Sequence, residues 1–355
     1  MPSQGSAFQL LSGVDFPIHS VSTAQRSSMQ TLTRRQLFST LATATLLPYV
    51  PIRAIEKSMR GAFIIMSTPY TNSNQVDFDD LAQQVDFLDR CGVQGLVWAQ
   101  GSSEQSHLSK AERLKGFDVI ARAAKGKRPA LILGVQADDT KGMLEYARHA
   151  EALAPDGMIA IPPTQATTLA EFREYYAALC GVTKRPIFFQ TSGGAPDVVP
   201  TVEFMVDMAK EFPNLAYVKE ERDPVHERML ALKPHRPHAI KAVFGAAFGR
   251  QWLYEMRLGM DGVMTGGAMY ADIYAQLWEL HTAGKADELR DLFGKLLLIL
   301  NLDHSIPGVR LYVLKKRRLF KTIKSRRGDH SFSADQKAEI DYRLDALRTY
   351  YRACR

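Results

Sequence analysis

Cysteine is scarce. Cys91, Cys180 and Cys354 are far apart in a chain of 355 residues, with no Cys-x-x-Cys and no even set, so neither a zinc site nor a disulfide framework is indicated. A Gly-x-Gly-x-x-Gly fingerprint is also missing, which removes the main signal for a dinucleotide-binding open sheet. The uncharged run 39–50 is too short to be a membrane span. A basic face with interleaved aromatics is lacking as well. The net charge of +7 is local: residues 310–327 carry nine basic and no acidic side chains, residues 1–60 carry six against two, and the remainder is acidic, 30 against 36. Nucleic-acid binding is therefore not expected. No triad of carboxylates recurs at the ends of the apolar runs, so a metal-dependent active site is the least expected arrangement.

What is present begins with a leader. Residues 1–32 are rich in Ser, Gln and Thr, and Thr33-Arg34-Arg35-Gln36-Leu37-Phe38 then precedes the uncharged run and small residues near Ala54. Paired arginines ahead of a modest apolar stretch resemble a twin-arginine export signal, with Met29 as an alternative start. A periplasmic location is the expectation, a cytoplasmic one the alternative. The domain reading is a leader over 1–57, a barrel over 58–270, and a closing helix with C-terminal helices over 271–355.

From residue 61 onward, short apolar runs alternate with helical patterns. The spacing predicts strands over 61–67, 95–100, 130–135, 157–162, 186–191, 215–220, 242–246 and 261–266. Their nearly unbroken apolar character suits parallel strands buried on both faces. Leu81, Val85 and Leu88 fall on one face of the first helix. Ser109-x-x-Glu112, Thr168-x-x-Glu171 and Ser333-x-x-Gln336 announce helix starts, because hydroxyl and carbonyl oxygen each satisfy a free backbone donor. Eight such repeats predict an α/β (β/α)8 TIM barrel. Helices over 273–281, 286–300, 309–324 and 334–351 follow. His226, His235 and His238 read as part of a solvated loop, and the basic run 310–327 as a solvated helix face or subunit contact.

In such a barrel, chemistry gathers at the carboxyl ends of the strands. Lys219 ends the sixth run, Asn214-Leu215-Ala216-Tyr217-Val218-Lys219. An ammonium loses hydration there, and burial favours the neutral amine that attacks keto groups. Its alternative is a strand-end lysine that snorkels to water. Tyr70 and Glu104 are proton-transfer candidates beside it, although Glu104 could equally cap a turn. Substrate-binding candidates are Thr68, Gly101, Ser102, Ser103, Gln190, Gly245 and Met264; none is read as a metal ligand.

Ser67-Thr68-Pro69-Tyr70, Gly95-Leu96-Val97 with Gly101-Ser102-Ser103-Glu104, Tyr217-Val218-Lys219-Glu220 and Gly259-Met260-Asp261-Gly262-Val263, in this order, carry a resemblance. Over residues 58–325 the chain resembles the dihydrodipicolinate synthase/N-acetylneuraminate lyase family of class I aldolases. The resemblance implies a barrel with C-terminal helices, a homo-oligomer (tetramer or dimer), no cofactor, and Lys219 as the residue forming an imine with pyruvate or another 2-keto acid. It gives Ser102 the role of holding the keto-acid carboxylate.

The sequence also departs from that family. Gln100-Gly101-Ser102-Ser103-Glu104 stands for Gly-Thr-Thr-Gly-Glu, and Gln190 for the tyrosine after strand 5. Thr164 and Gln165 replace paired tyrosines, and no arginine lies near Ala195. A carboxamide does not titrate in the useful range. The expected activity is thus cleavage or dehydration of a different, sugar-derived 2-keto acid rather than dihydrodipicolinate synthesis. The alternative is an exported keto-acid or sugar-acid binder that has lost turnover.

Overall fold

The computed structural model describes residues 57–352. The leader reading, apart from Lys57, lies outside the described residues. Eight parallel strands close on themselves in chain order: β1 (Gly61–Ile65), β2 (Gly95–Trp98), β3 (Ala130–Gly134), β4 (Gly157–Ala160), β5 (Ile187–Gln190), β6 (Tyr217–Lys219), β7 (Ala242–Gly245) and β8 (Gly262–Gly266). The closing pair is β1 with β8. Helices α1 (Phe78–Cys91), α2 (Lys110–Ala124), α3 (Thr140–Ala152), α4 (Leu169–Val182), α5 (Val202–Glu211), α6 (Val225–Leu232) and α7 (Trp252–Arg257) connect the strands. After β8 come α8 (Ala271–Thr282), α9 (Ala286–Leu300), α10 (Val309–Lys316) and α11 (Ala334–Asp345).

The fold follows from the apolar pattern. Strand side chains alternate faces, so one set fills the barrel and the other packs beneath the helices. The inner set includes Phe63, Ile65, Val97, Ile132, Ile159, Phe188, Phe244 and Met264, with Tyr217 packed against it. Four of its rings meet in the centre: Phe63–Phe244 centroids are 5.0 Å apart, Phe188–Tyr217 5.2 Å and Phe188–Phe244 5.3 Å. The outer set, including Leu96, Trp98, Leu131, Leu133 and Val218, joins Leu81, Val85 and Leu88 of α1 in the larger core. All three predicted capping boxes form, at Ser109, Thr168 and Ser333.

The sequence reading erred at the C-terminal side. The helix predicted over 309–324 stops at Lys316, and the one over 334–351 stops at Asp345. Arg318 turns the chain at φ 59°, and the basic residues beyond it engage partners across the barrel mouth instead of continuing a helical face. Lys321 Nζ lies 2.8 Å from Asp77 and 2.9 Å from Asp80, the Thr322 hydroxyl donates to the Tyr70 carbonyl, and Arg326 forms paired bonds with Glu112. Residues 321–327 therefore form a strap over the loops that follow β1 and β2. His226 is likewise placed in α6 rather than in a loop. No helix among the described residues is long and apolar enough to cross a membrane.

Candidate active site

Lys219 is the last residue of β6, in register with Gln190 of β5 and Phe244 of β7. It lies two residues beyond Tyr217, which packs with the inner set, so strand alternation returns its side chain to the barrel interior at the carboxyl-end mouth. The aromatic cluster closes the barrel below it. Lys219 is only 4% exposed. The amine is not bare, as the apolar strand end alone suggests: its Nζ sits 3.0 Å from Glu221 Oε1.

Glu221 is the centre of a small polar network. Its Oε2 accepts hydrogen bonds from Gln190 Nε2 at 2.6 Å and from the Ser192 hydroxyl at 2.5 Å, and its backbone N–H donates to Thr191 Oγ1 at 2.8 Å. Burial opposes ionisation of this carboxyl. The charge of Lys219 and the donors on Ser192 and Gln190 outweigh it, holding the group below its ordinary value. Gln190 thus orients a carboxylate with its amide N–H rather than moving a proton itself. The sequence alone does not mark Glu221 as part of the site. Its spacing of two from Lys219 was the available signal, because alternate residues of an extended chain share a side.

Glu220 points elsewhere. Its Oε1 accepts from the Thr191 hydroxyl and from the backbone N–H groups of Glu221 and Arg222, while Oε2 faces Arg228 Nε at 3.1 Å. Burial nevertheless leaves its carboxyl above the ordinary value. It fixes the turn that presents Glu221.

Across the mouth, the two serines after β2 divide. Ser103 is buried, its hydroxyl donating to the Met66 carbonyl at 2.7 Å and its own carbonyl accepting from Thr68 Oγ1. Thr68 in turn accepts from Trp98 Nε1 at 3.2 Å. These two residues hold the loop in place. Ser102 leans over Gly266 at the end of β8, where an added Cβ would lie 2.3 Å from Ser102 Oγ. Gly101 is exposed and its carbonyl accepts from Arg327 of the strap.

Tyr70 and Glu104 are also buried, and the strap engages both. Glu104, at φ 57°, accepts from the Ser325 hydroxyl at 2.8 Å and the Arg326 backbone N–H at 3.0 Å. The Arg326 guanidinium lies over the Tyr70 ring, 4.7 Å from its centroid. Burial first, and then the neighbouring Glu104 carboxylate, push the Tyr70 phenol up. Met264 is fully buried within the inner apolar set. Gly245 provides the space for Glu255 of α7, whose carboxyl would collide with any Cβ there. Among the described residues, no group of three His, Cys, Asp or Glu side chains could hold a metal ion.

The site is thus a buried lysine–carboxylate pair at the mouth of a closed barrel, facing a serine loop. An amine with a proton acceptor at contact distance can attack a carbonyl and return a proton later. Comparison with known proteins is consistent in direction. A model of the dihydrodipicolinate synthetase family matches residues 58–312. A 4-hydroxy-tetrahydrodipicolinate synthase of Rhizobium meliloti is 29% identical over 277 residues, covering 75% of this chain and 91% of the relative. An L-2-keto-3-deoxyarabonate dehydratase of Azospirillum brasilense is 24% identical over 254 residues, covering 70% and 81%. The crystal structure of dihydrodipicolinate synthase from Rhodopseudomonas palustris superposes with a TM-score of 0.72 at 24% identity, over 81% of this chain and 97% of that one. At that identity the structural likeness speaks to the fold alone.

Proposed function

Because the chain belongs to the dihydrodipicolinate synthetase family, whose members are lyases and aldolases, we propose that it is a Schiff-base lyase that cleaves or dehydrates a sugar-derived 2-keto acid. The observation that carries this reading is the buried contact between Lys219 Nζ and Glu221 Oε1. Lys219 passes a proton to Glu221 and attacks C2 of the keto acid. Loss of water from the carbinolamine then gives the imine. The imine draws electrons from C3 as a base removes its proton, and the resulting enamine expels the C4 hydroxyl, which leaves as water once protonated; water then hydrolyses the conjugated imine, releasing the product and restoring the Lys219 amine. Glu221 is the group placed for these transfers. Ser102 supports the substrate carboxylate from the opposite side of the mouth.

Dihydrodipicolinate synthesis itself fits less well, since Gln190 orients Glu221 where a titrating phenol is expected. The Azospirillum relative acts, by its name, on a keto-deoxy sugar acid, and this supports dehydration as the reaction class. Trapping with borohydride across a panel of 2-keto acids, followed by mass analysis of the Lys219 peptide, tests the reading. No mass increase on that peptide with any keto acid overturns it. Capture without product from any substrate leaves a binder that has lost turnover. Export of the protein, supported by Arg34-Arg35 and the run after them, is tested by cell fractionation with Arg34→Lys/Arg35→Lys as the control. A homo-oligomer is tested by sedimentation.

A further inference from the structure

A cavity of about 570 Å³ opens beside the lysine–carboxylate pair, between the end of β6 with the start of α6 and the connection from β7 to α7. Glu221 belongs to the pair and also lines this cavity. The acidic lining of this cavity is Glu220, Glu221, Asp223, Glu227 and Glu255, and no lysine or arginine lines it. Arg228 compensates Glu220 and Lys219 compensates Glu221. Asp223, Glu227 and Glu255 have no ion-pair partner among the described residues. Asp223 and Glu227 are exposed at the rim.

Glu255 differs from these two. It is 3% exposed, and its Oε2 is buried without a hydrogen-bond partner, against the bare Cα of Gly245. His226, edge-on to Tyr254 at 4.7 Å, is also in the lining, and its Nε2 is a second buried atom without a hydrogen-bond partner. Burial pushes the Glu255 carboxyl up to about 8. Buried polar groups are nearly always satisfied, and a buried carboxyl with nothing to bind is costly. A ligand that supplies N–H donors and positive charge removes both deficits at once. An anion would meet five carboxyl side chains against one imidazole and one carboxamide, and a neutral polyol would leave the charge of the lining uncompensated.

We propose that this cavity binds an organic cation bearing N–H donors, an ammonium or guanidinium group seated on Glu255 with Asp223 and Glu227 at the entrance. The cation can belong to the tail of the keto-acid substrate or to a separate small ligand; the recognising chemistry is the same. Across the cavity Glu255 faces Glu220, Glu221, Asp223, His226 and Glu227, while Ala246, Ala247 and Gln251 line the side of β7. Binding the cation favours the ionised form of Glu255, so a proton leaves on binding near neutral pH.

Calorimetric titration of the full chain with propylammonium and putrescine, against propanol and glycerol as neutral probes, tests this. Saturable heat is expected from the amines alone, with an apparent enthalpy that varies with the ionisation enthalpy of the buffer. Glu255→Gln is expected to weaken amine binding by about tenfold or more and to remove the proton release. The rim variant Asp223→Asn/Glu227→Gln, on exposed positions, is expected to weaken it by about threefold and decides the matter if Glu255→Gln does not fold. No saturable heat from either amine, equal binding of the neutral probes, or variants that bind as the parent does would overturn the proposal. In the borohydride trap, a lower half-saturating concentration for an ω-guanidino 2-keto acid than for 2-ketohexanoate places the cation on the substrate; equal values place it on a separate ligand. The titration contains no keto acid, so its outcome is independent of the role of Lys219.

Discussion

Lys219 and Glu221, two residues apart at the end of β6, place Nζ and Oε1 3.0 Å from each other inside the barrel mouth. The contact satisfies the lysine in the resting protein and, on the mechanism proposed above, provides a destination for its proton. Lys219→Arg keeps a cation opposite Glu221 yet cannot form an imine. It is expected to abolish borohydride capture while leaving the thermal midpoint within a few degrees of the parent, read by peptide mass and by calorimetry.

On the mechanism proposed above, Glu221→Gln slows imine formation and impairs the later proton transfers more strongly. It retains the shape of the side chain and loses the acceptor, so kcat is expected to fall by about 10²–10⁴-fold. Capture of pyruvate on the Lys219 peptide should persist, although more slowly. The variant should also be less stable by ~3 kcal/mol, because it leaves a buried ammonium without its counter-charge. A parent-like kcat would remove Glu221 from the proton path.

Two glycines at the mouth predict opposite outcomes for the same change. A Cβ at Gly266 would lie 2.3 Å from Ser102 Oγ, whereas one at Gly101 meets nothing within 4 Å. Gly266→Ala should displace Ser102 and raise KM for the keto acid by about tenfold, consistent with the loss of one hydrogen bond to a charged group. Gly101→Ala should leave steady-state kinetics unchanged. Equal effects would show that Ser102 is not a substrate contact.

The strap makes a prediction about acid. Arg326, its bidentate bond first, holds the Glu112 carboxyl down at about 2, from an ordinary 4.5. A carboxyl lowered on folding stabilises the protein above its unfolded value, and this contribution is lost as pH falls through the folded value. Arg326→Ala should therefore cost ~1–3 kcal/mol near neutrality, and its deficit relative to the parent should shrink as pH falls from 4.5 toward 2. Urea titrations at several pH values measure this directly.

Glu255 predicts the reverse slope. Burial raises its carboxyl from 4.5 to about 8, so the folded protein holds a proton that the unfolded chain has released throughout that interval. Stability falls as pH rises across it, by up to ~1.4 kcal/mol per unit from this group alone. Glu255→Gln should flatten the decline. A parent-like slope in the variant would assign the decline to other groups.

The barrel was legible because each strand is a short apolar run and each connecting helix carries an amphipathic face or a cap. Leu81, Val85 and Leu88 pack where their spacing placed them, and the boxes at Ser109, Thr168 and Ser333 form. Lys219 stood out for the same reason, as a polar residue ending an apolar strand. Less legible were contacts between residues distant in sequence. The bonds from Ser325 and Arg326 to Glu104 span more than 200 positions, and nothing local in a basic run distinguishes a strap from a solvated helical face. Glu255 was invisible for a related reason: its isolation depends on Gly245 of a neighbouring element.

The strap also orders events during synthesis. The loops after β1 and β2 are written early in the chain, but the residues that brace them, Lys321 to Arg327, come near its end. A nascent polypeptide can close all eight strands while its mouth still lacks its brace. A chain cut between Phe320 and Arg327, by a stop codon or a protease, keeps every core residue up to Phe320 and should then yield a folded barrel with an unfinished entrance.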